Sequence, residues 1–518
     1  MSTAGTADLL VRGTVFTGLD DTARPGWVAV RDGRVAAVGH DGDGSDATAW
    51  RGRATTLHDA GDGLVCAGLH DDHTFLTATL LEEVTVDLAG TGEARDVAAA
   101  LSRAAAGRPA GVPVVGTGWP GDRPVPAELT EVLTEQLGPR PVVLWDADRT
   151  APWQNEVARA RYDLPRGGLP NEALAPLFAD VATDPVLVER AWSHAERELL
   201  SRGVVSVKDV VFDDHPGALP VLRDLVARGR LRLRQRLASQ PVRRAHDLAF
   251  AAAATAAAVP GRLEFHGFKL MVDGTFPDRT ADMLDGYADG PSLAAVDHEG
   301  LRAAAEEIAG AGFTVGLNVD GDAAARWAVD VLSGIRREFP DDRRHSLSDV
   351  SFIHPDDLAR AARAGLVLEV YPQFLHLFAD QDEFAAVSGV LGDRARGLND
   401  FAAMAAAGVA VAAGTDLPLF WPSLPEALHA AVFRRFRDGG PDGGWNPPGA
   451  ATVAAVLRAW TTGGAWAAGA ERTAGTLQRG RRADLAVFDR DLTACGPDEL
   501  RQARVALTVL DGHVVHDG

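Results

Sequence analysis

Apolar and polar positions alternate with a period of two from Ala7 to His40, in ADLLVRGTVFTGLDDTARPGWVAVRDGRVAAVGH. That period sends successive side chains to opposite faces, so it predicts antiparallel strands, with Asp32-Gly33 as a hairpin turn. The style returns at the other end, in ADLAVFDRDL (483–492) and VALTVLDGHVVHDG (505–518). Two strand-rich ends around a different middle predict that both termini pair into one small sheet domain.

The middle changes period. Short apolar runs (VPVVGTGW, PVVLWDAD, GVVSVKDVVF, GFKLMVDG, FTVGLNVDGD, VSFIH, LVLEVYP, VAVAAGTD) alternate with helical stretches rich in Ala, Leu and Arg. Strand-then-helix spacing of this kind predicts βαβ units and a parallel sheet. The fold class expected is α/β, a (β/α)8 TIM barrel with a composite β-sandwich domain formed by both termini. Its expected parts are residues 1–66 plus 467–518 for the sandwich and 67–466 for the barrel. A Pro- and Gly-rich region at about 90–190 reads as an insertion over the barrel mouth. Polar residues at the ends of the runs (Asp209, Asp273, Asn318, Asp320, Asp349, Glu369, Asp416) fall where a barrel keeps its chemistry, at the C-terminal strand ends.

Composition narrows the partners. With 51 Lys+Arg against 72 Asp+Glu in 518 residues the net charge is −21. An acidic chain repels nucleic acid and anionic membrane surface, and the arginine pairs Arg243-Arg244 and Arg343-Arg344 are too short to offset this. Two cysteines, Cys66 and Cys495, cannot build a disulfide framework or a cysteine-based zinc site. The first residues lack a basic stretch followed by an apolar one, and no run of 18 apolar residues exists. A cytoplasmic protein without nucleic-acid or membrane partners is expected.

The densest polar cluster is Gly68-Leu-His-Asp-Asp-His-Thr-Phe75, after the apolar Leu64-Val65. On a strand, Asp71, His73 and Phe75 share one face, and His70, Asp72 and Thr74 the other. Four ionisable residues in a row after an apolar strand favour a site over a solvated loop.

Together with ADLLVRGTVFTG, AVRDGRVAAVG, AGLHDDHTF, Gly116-Thr-Gly-Trp119, FKLMVDGTFPDRTADM, AAGTDLPLF and GTLQRGRRADLAVFDRD, this cluster resembles the amidohydrolase superfamily. The likeness is to amidohydrolase family 3, the branch of N-substituted formamide deformylase-like proteins, and it covers nearly the full length. It implies a barrel with a composite sheet domain, a His-x-His pair after strand 1, Lys on strand 4, His on strands 5 and 6, and Asp on strand 8. Here His73 is followed by Phe75, Lys269 matches the lysine, Asn318 and Asp349 stand at the two later histidines, and Asp416 matches the aspartate. Three imidazoles are gone. Lys269 inside an apolar strand is costly unless carboxylated as a metal bridge or paired with an Asp.

Carboxylates beside one or two imidazoles suit a harder metal than zinc. That pattern resembles the amidohydrolase-type nonheme diiron monooxygenases of platensimycin and platencin biosynthesis. The resemblance implies two Fe held by His70, Asp72, His73, Lys269, Asp320, Asp349, Glu369 and Asp416, with O2 as co-substrate and an external electron donor. The substrate implied is a large apolar, CoA-linked diterpenoid hydroxylated at an unactivated carbon, and a homodimer is the family-level expectation. Lys269, Asn318 and Asp416 are the expected catalytic residues. The alternative is a metal-dependent hydrolase, with Zn, that cleaves an amide, imide or ester, with Asp416 taking the proton from water. A barrel that only binds a ligand is a third reading. Trp119, Trp145, Trp153, Phe374, Phe378, Phe420 and Trp421 are expected to line an apolar pocket, with Arg123, Arg149 and Arg279 as candidate rim cations.

Overall fold

The computed structural model describes residues 5–91, 93–119, 127–146, 152–165, 171–211, 218–241 and 245–518. Eight parallel strands form one sheet: β1 (Leu69–Thr74), β2 (Val204–Val211), β3 (Arg234–Ser239), β4 (Leu263–Met271), β5 (Thr314–Asn318), β6 (Ser346–Ser348), β7 (Val367–Val370) and β8 (Ala410–Ala413). They lie side by side in chain order, and β8 returns to β1 through a parallel bridge between Thr74 and Leu417. Helices such as 218–227, 322–338 and 424–431 follow the strands, as β-α alternation requires.

The strands of the runs that begin at Val112 and Pro141 do not join the barrel. These strands, Val114–Thr117 and Val142–Leu144, pair with Thr85–Asp87 and Trp153–Gln154 in a separate four-stranded sheet. Two other strands differ from the sequence reading. The sixth is Ser346–Ser348, so VSFIH lies beyond it. The third was hidden by its arginines: Arg234 and Arg236 are buried because each meets a carboxylate, Asp484 and Asp72 respectively.

The terminal strands Leu9–Phe16, Ala23–Arg31, Arg34–His40, Thr56–Ala67, Leu485–Phe488, Val505–Leu510 and His513–Asp517 form one seven-stranded sheet. Residues from both ends meet where Val65–Ala67 pairs with Leu485–Val487. Two hairpins turn on Asp-Gly pairs. Asp32 and Gly33 have φ of 52° and 71°, and Asp511 and Gly512 have 50° and 79°. Left-handed φ at both central residues is what a type I′ turn demands, and it is why glycine follows aspartate there. The sheet is tied to the barrel at one buried knot. Arg234 Nη1 lies 2.8 Å from Asp484 Oδ2, while Arg234 and Arg262 both ion-pair with Asp511. Among the described residues no helix is long and apolar enough to cross a membrane.

Candidate active site

β1 is irregular. Its pairing with β2 shifts register twice, placing His70 opposite Ser206 and Thr74 opposite Asp209. Strict alternation therefore fails, and Asp72 and His73, expected on opposite faces, join one buried network. His73 is fully buried. Its Nε2 lies 3.1 Å from Lys269 Nζ and 3.9 Å from Asp416 Oδ1. Its Nδ1 lies 3.0 Å from Ser348 Oγ and 3.3 Å from Glu369 Oε2.

Lys269 reaches the C-terminal end of the barrel from β4. Its Nζ is 2.9 Å from Asp349 Oδ2 and 5.3 Å from the Phe75 ring centre. The Tyr371 hydroxyl donates to Asp349 as well. Burial alone would raise the Asp349 carboxyl, but the Lys269 charge and the His73 ring outweigh it and hold it below its ordinary value. Asp416 is brought to the same place by backbone. Asp416 N donates to the His73 carbonyl at 2.8 Å, and Thr415 N does so at 3.2 Å. Gly414 permits this approach, since a Cβ there would lie 2.6 Å from His73 Cβ. Asp349 and Asp416 have φ of 58° and 51°. Non-glycine residues held there cost about 1–3 kcal/mol each, and such strain gathers at working sites.

Above these groups is a cavity of about 610 Å³. Its polar floor carries Lys269, Asn318, Asp320, Asp349 and Asp416, and its walls are largely apolar, with Phe75, Met271, Phe276, Phe374, Phe378 and Leu419. Burial, with Asp273 and Asp349 adding repulsion, pushes the Asp320 carboxyl well above its ordinary value. Among the described residues the lining comes from Phe75, just after β1, and from the ends of β4 to β8 and their loops, not from the region 90–190. Of the expected aromatics, Phe374 and Phe378 line it. Trp119 and Trp145 are buried in cores, Trp153 packs against the inserted sheet's core, and Trp421 meets His194 and Arg202. Arg279 is ion-paired with Asp289. Arg123, Arg149, Arg243 and Arg244 lie outside the described residues.

Three expected ligands are placed elsewhere. Asp72 is bound by Arg236 and lies 3.6 Å from Lys208 Nζ. Glu369 is held by Lys208 and by Ser348 Oγ at 3.0 Å, and touches His73 only from behind. The Lys208 charge outweighs burial and keeps the Glu369 carboxyl well below its ordinary value. His70 faces outward against the helix 464–467, where a Cβ on Gly464 would come within 2.4 Å of its own Cβ. Burial, then Arg236, lower its imidazole to about 3. Asp71, Asp209 and Asp273 are staples. Asp71 accepts from Thr415 Oγ1 at 2.6 Å, Asp209 from Leu76 N at 2.8 Å, and Asp273 from the amides of Asp282, Asp320 and Gly321.

These positions decide what the site can hold. Two irons need a larger free donor set than His73, Asp349 and Asp416, because Asp72, Glu369 and His70 are committed and burial disfavours the charged form of Asp320. The residues do not fit a two-iron centre. One imidazole and two carboxylates suit a single divalent ion by donor chemistry. As the side chains stand, no group of three or more His, Cys, Asp or Glu among the described residues is arranged to hold a metal. The lysine ammonium lies among the candidate donors.

Lys208, Arg236, Ser348 and Tyr371 complete the network and were not singled out as ligands or catalysts. Lys208 in VVSVKDVV could have been found by the argument applied to Lys269, that a lysine in an apolar strand needs a partner.

A (β/α)8 barrel with a polar floor at its C-terminal end keeps these groups where barrel enzymes hold their active sites. The chain belongs to the amidohydrolase family, whose pattern it matches over residues 56–516. It is 25% identical over 371 residues to the N-substituted formamide deformylase of Arthrobacter pascens, covering 70% of this chain and 67% of that protein. It is 27% identical over 262 residues to YtcJ of Bacillus subtilis (strain 168), provisionally named an amidohydrolase. That match covers 49% of this chain and about half, 48%, of the relative's length. Among solved structures, an uncharacterized metal-dependent hydrolase of Pyrococcus horikoshii OT3 superposes with a TM-score of 0.71 at 20% identity. The superposition covers 98% of this chain and 100% of that one.

Proposed function

We propose that this protein hydrolyses an N-substituted amide with an apolar substituent, at the floor of the barrel-mouth cavity. The observation that carries this reading is the convergence of His73, Lys269, Asp349 and Asp416 beneath a largely apolar chamber. The family membership and the relative named for N-substituted formamides support hydrolysis over oxygenation.

Phe75, Phe374 and Phe378 bind the apolar body and keep water from the floor. Asp416, with a quarter of its side chain exposed, is the carboxylate that accepts the proton of the attacking water. Lys269, a donor only, and the Asn318 amide face the oxygen on which negative charge develops. The water oxygen bonds to the carbonyl carbon, the C–N bond breaks, and the proton passes to the leaving amine. A divalent ion on His73, Asp349 and Asp416 would add Lewis-acid polarisation.

The test follows amine release from N-benzylformamide and N-benzylacetamide by the purified full chain, with an oxygen electrode in parallel. Amine release without oxygen uptake is expected. Oxygen consumption coupled to substrate hydroxylation, without amine, would overturn the reading.

A further inference from the structure

The interior of an eight-stranded barrel is normally filled by branched apolar side chains. Here it holds Lys208 from β2 and Glu369 from β7 as a buried ion pair, 6% and 1% exposed. Apolar residues of similar volume are often as stable or more so than such a pair, so stability alone does not account for it. Its geometry gives another account.

Two side-chain oxygens face His73 Nδ1, Ser348 Oγ at 3.0 Å and Glu369 Oε2 at 3.3 Å, and their protons can be assigned. Glu369 accepts from Lys208, so it is an acceptor toward the ring. Ser348 Oγ has one proton and two carboxylates within reach, Glu369 Oε2 at 3.0 Å and Asp349 Oδ2 at 3.2 Å. Giving that proton to either leaves its lone pair for the ring. Nδ1 therefore meets acceptors only and must carry the proton. On the opposite side Lys269 Nζ, which can only donate, meets Nε2 at 3.1 Å. Both sides specify the same tautomer.

We propose that Glu369, anchored by Lys208, is a positioning residue that locks His73 as the Nδ1–H tautomer and presents the Nε2 lone pair to the cavity floor. Outer partners of this kind commonly fix the orientation and basicity of a working imidazole. The proposal rests on the reading above in one respect, that His73 belongs to the working site.

The test is nitrogen NMR of the full chain labelled with 15N-histidine, with His73 assigned by its loss in His73→Gln. The wild type is expected to show a protonated Nδ1 and a bare Nε2; the reverse would overturn the proposal without any variant. In Glu369→Gln, Lys208 takes the amide oxygen, and the NH2 turns to Nδ1. Nδ1 and Nε2 then both meet donors, so the wild-type Nδ1–H signature is expected to be lost, with kcat falling about tenfold to a hundredfold and KM changing far less. Glu369→Asp keeps an acceptor and is expected to retain the wild-type tautomer and recover part of kcat. An unchanged His73 signature in Glu369→Gln would overturn the positioning role. A lost Nδ1–H signature with unchanged amine release would leave that role standing and remove His73 from the working site.

Discussion

Lys208→Met cuts the buried pair beneath the site on one side only. The Lys208 ammonium donates to Glu369 and lies 3.6 Å from Asp72, which keeps Arg236. Glu369 is then a fully buried carboxylate with only Ser348 and His73 as partners. Stranding a buried charge costs about 3–5 kcal/mol. An escape limits this cost, because Glu369 can take up a proton. From an ordinary value of 4.5, neutralising it costs about 1.4 kcal/mol per pH unit, which is about 3.4 kcal/mol at pH 7 and about 0.7 at pH 5. The variant should therefore lose about 3 kcal/mol at pH 7 and under about 1 at pH 5. The double variant Lys208→Met/Glu369→Gln should recover most of the loss. Urea unfolding followed by tryptophan fluorescence reads this as midpoint shifts at the two pH values. A loss under about 1 kcal/mol at pH 7, or one that does not shrink on acidification, would refute the buried-pair reasoning.

Three further outcomes are expected. Burial pushes the Asp209 carboxyl up to about 8, so its folded value lies above its unfolded one. Its contribution to stability is complete below about pH 4 and is lost as pH rises toward 8; Asp209→Asn should remove that slope and raise the urea midpoint at pH 8.5. Phe378→Ala trims a cavity wall, and should raise KM for benzyl amides about tenfold while leaving kcat nearly unchanged, since an aromatic contact is worth about 1.5–3 kcal/mol. Asp416→Asn should lower kcat for amine release about 10²–10⁴-fold with wild-type unfolding, the usual range for removing a general base; a smaller loss would exclude Asp416 as proton acceptor.

Much of the fold was legible because period and turn chemistry are local. Asp32-Gly33 specified its hairpin, and the apolar runs at 203–212, 267–274, 313–322, 366–372 and 409–416 became barrel strands. The third strand was not legible, because Arg234 and Arg236 look solvent-facing until carboxylates 250 and 164 residues distant meet them. The convergence of His73, Lys269, Asp349 and Asp416 was legible, through the motif positions that the family resemblance marks. Which other carboxylates were free was not. Asp72 and Glu369 look like metal ligands in sequence, and only the arrangement of β2, β3 and β7 commits them to Arg236 and Lys208. His70 was assigned to the site by adjacency, although alternation already put it on the face opposite His73, and the structure sets it against the helix 464–467.

A single hydrolytic site on His73, Asp349 and Asp416 is proposed above. Elemental analysis of the full chain, purified without chelator or metal-affinity tag, tests it when done on wild type, His73→Ala and Asp349→Ala together. About one divalent ion per wild-type chain, lost in both variants along with amine release, is the expected result. Two irons per chain that survive both substitutions would contradict it.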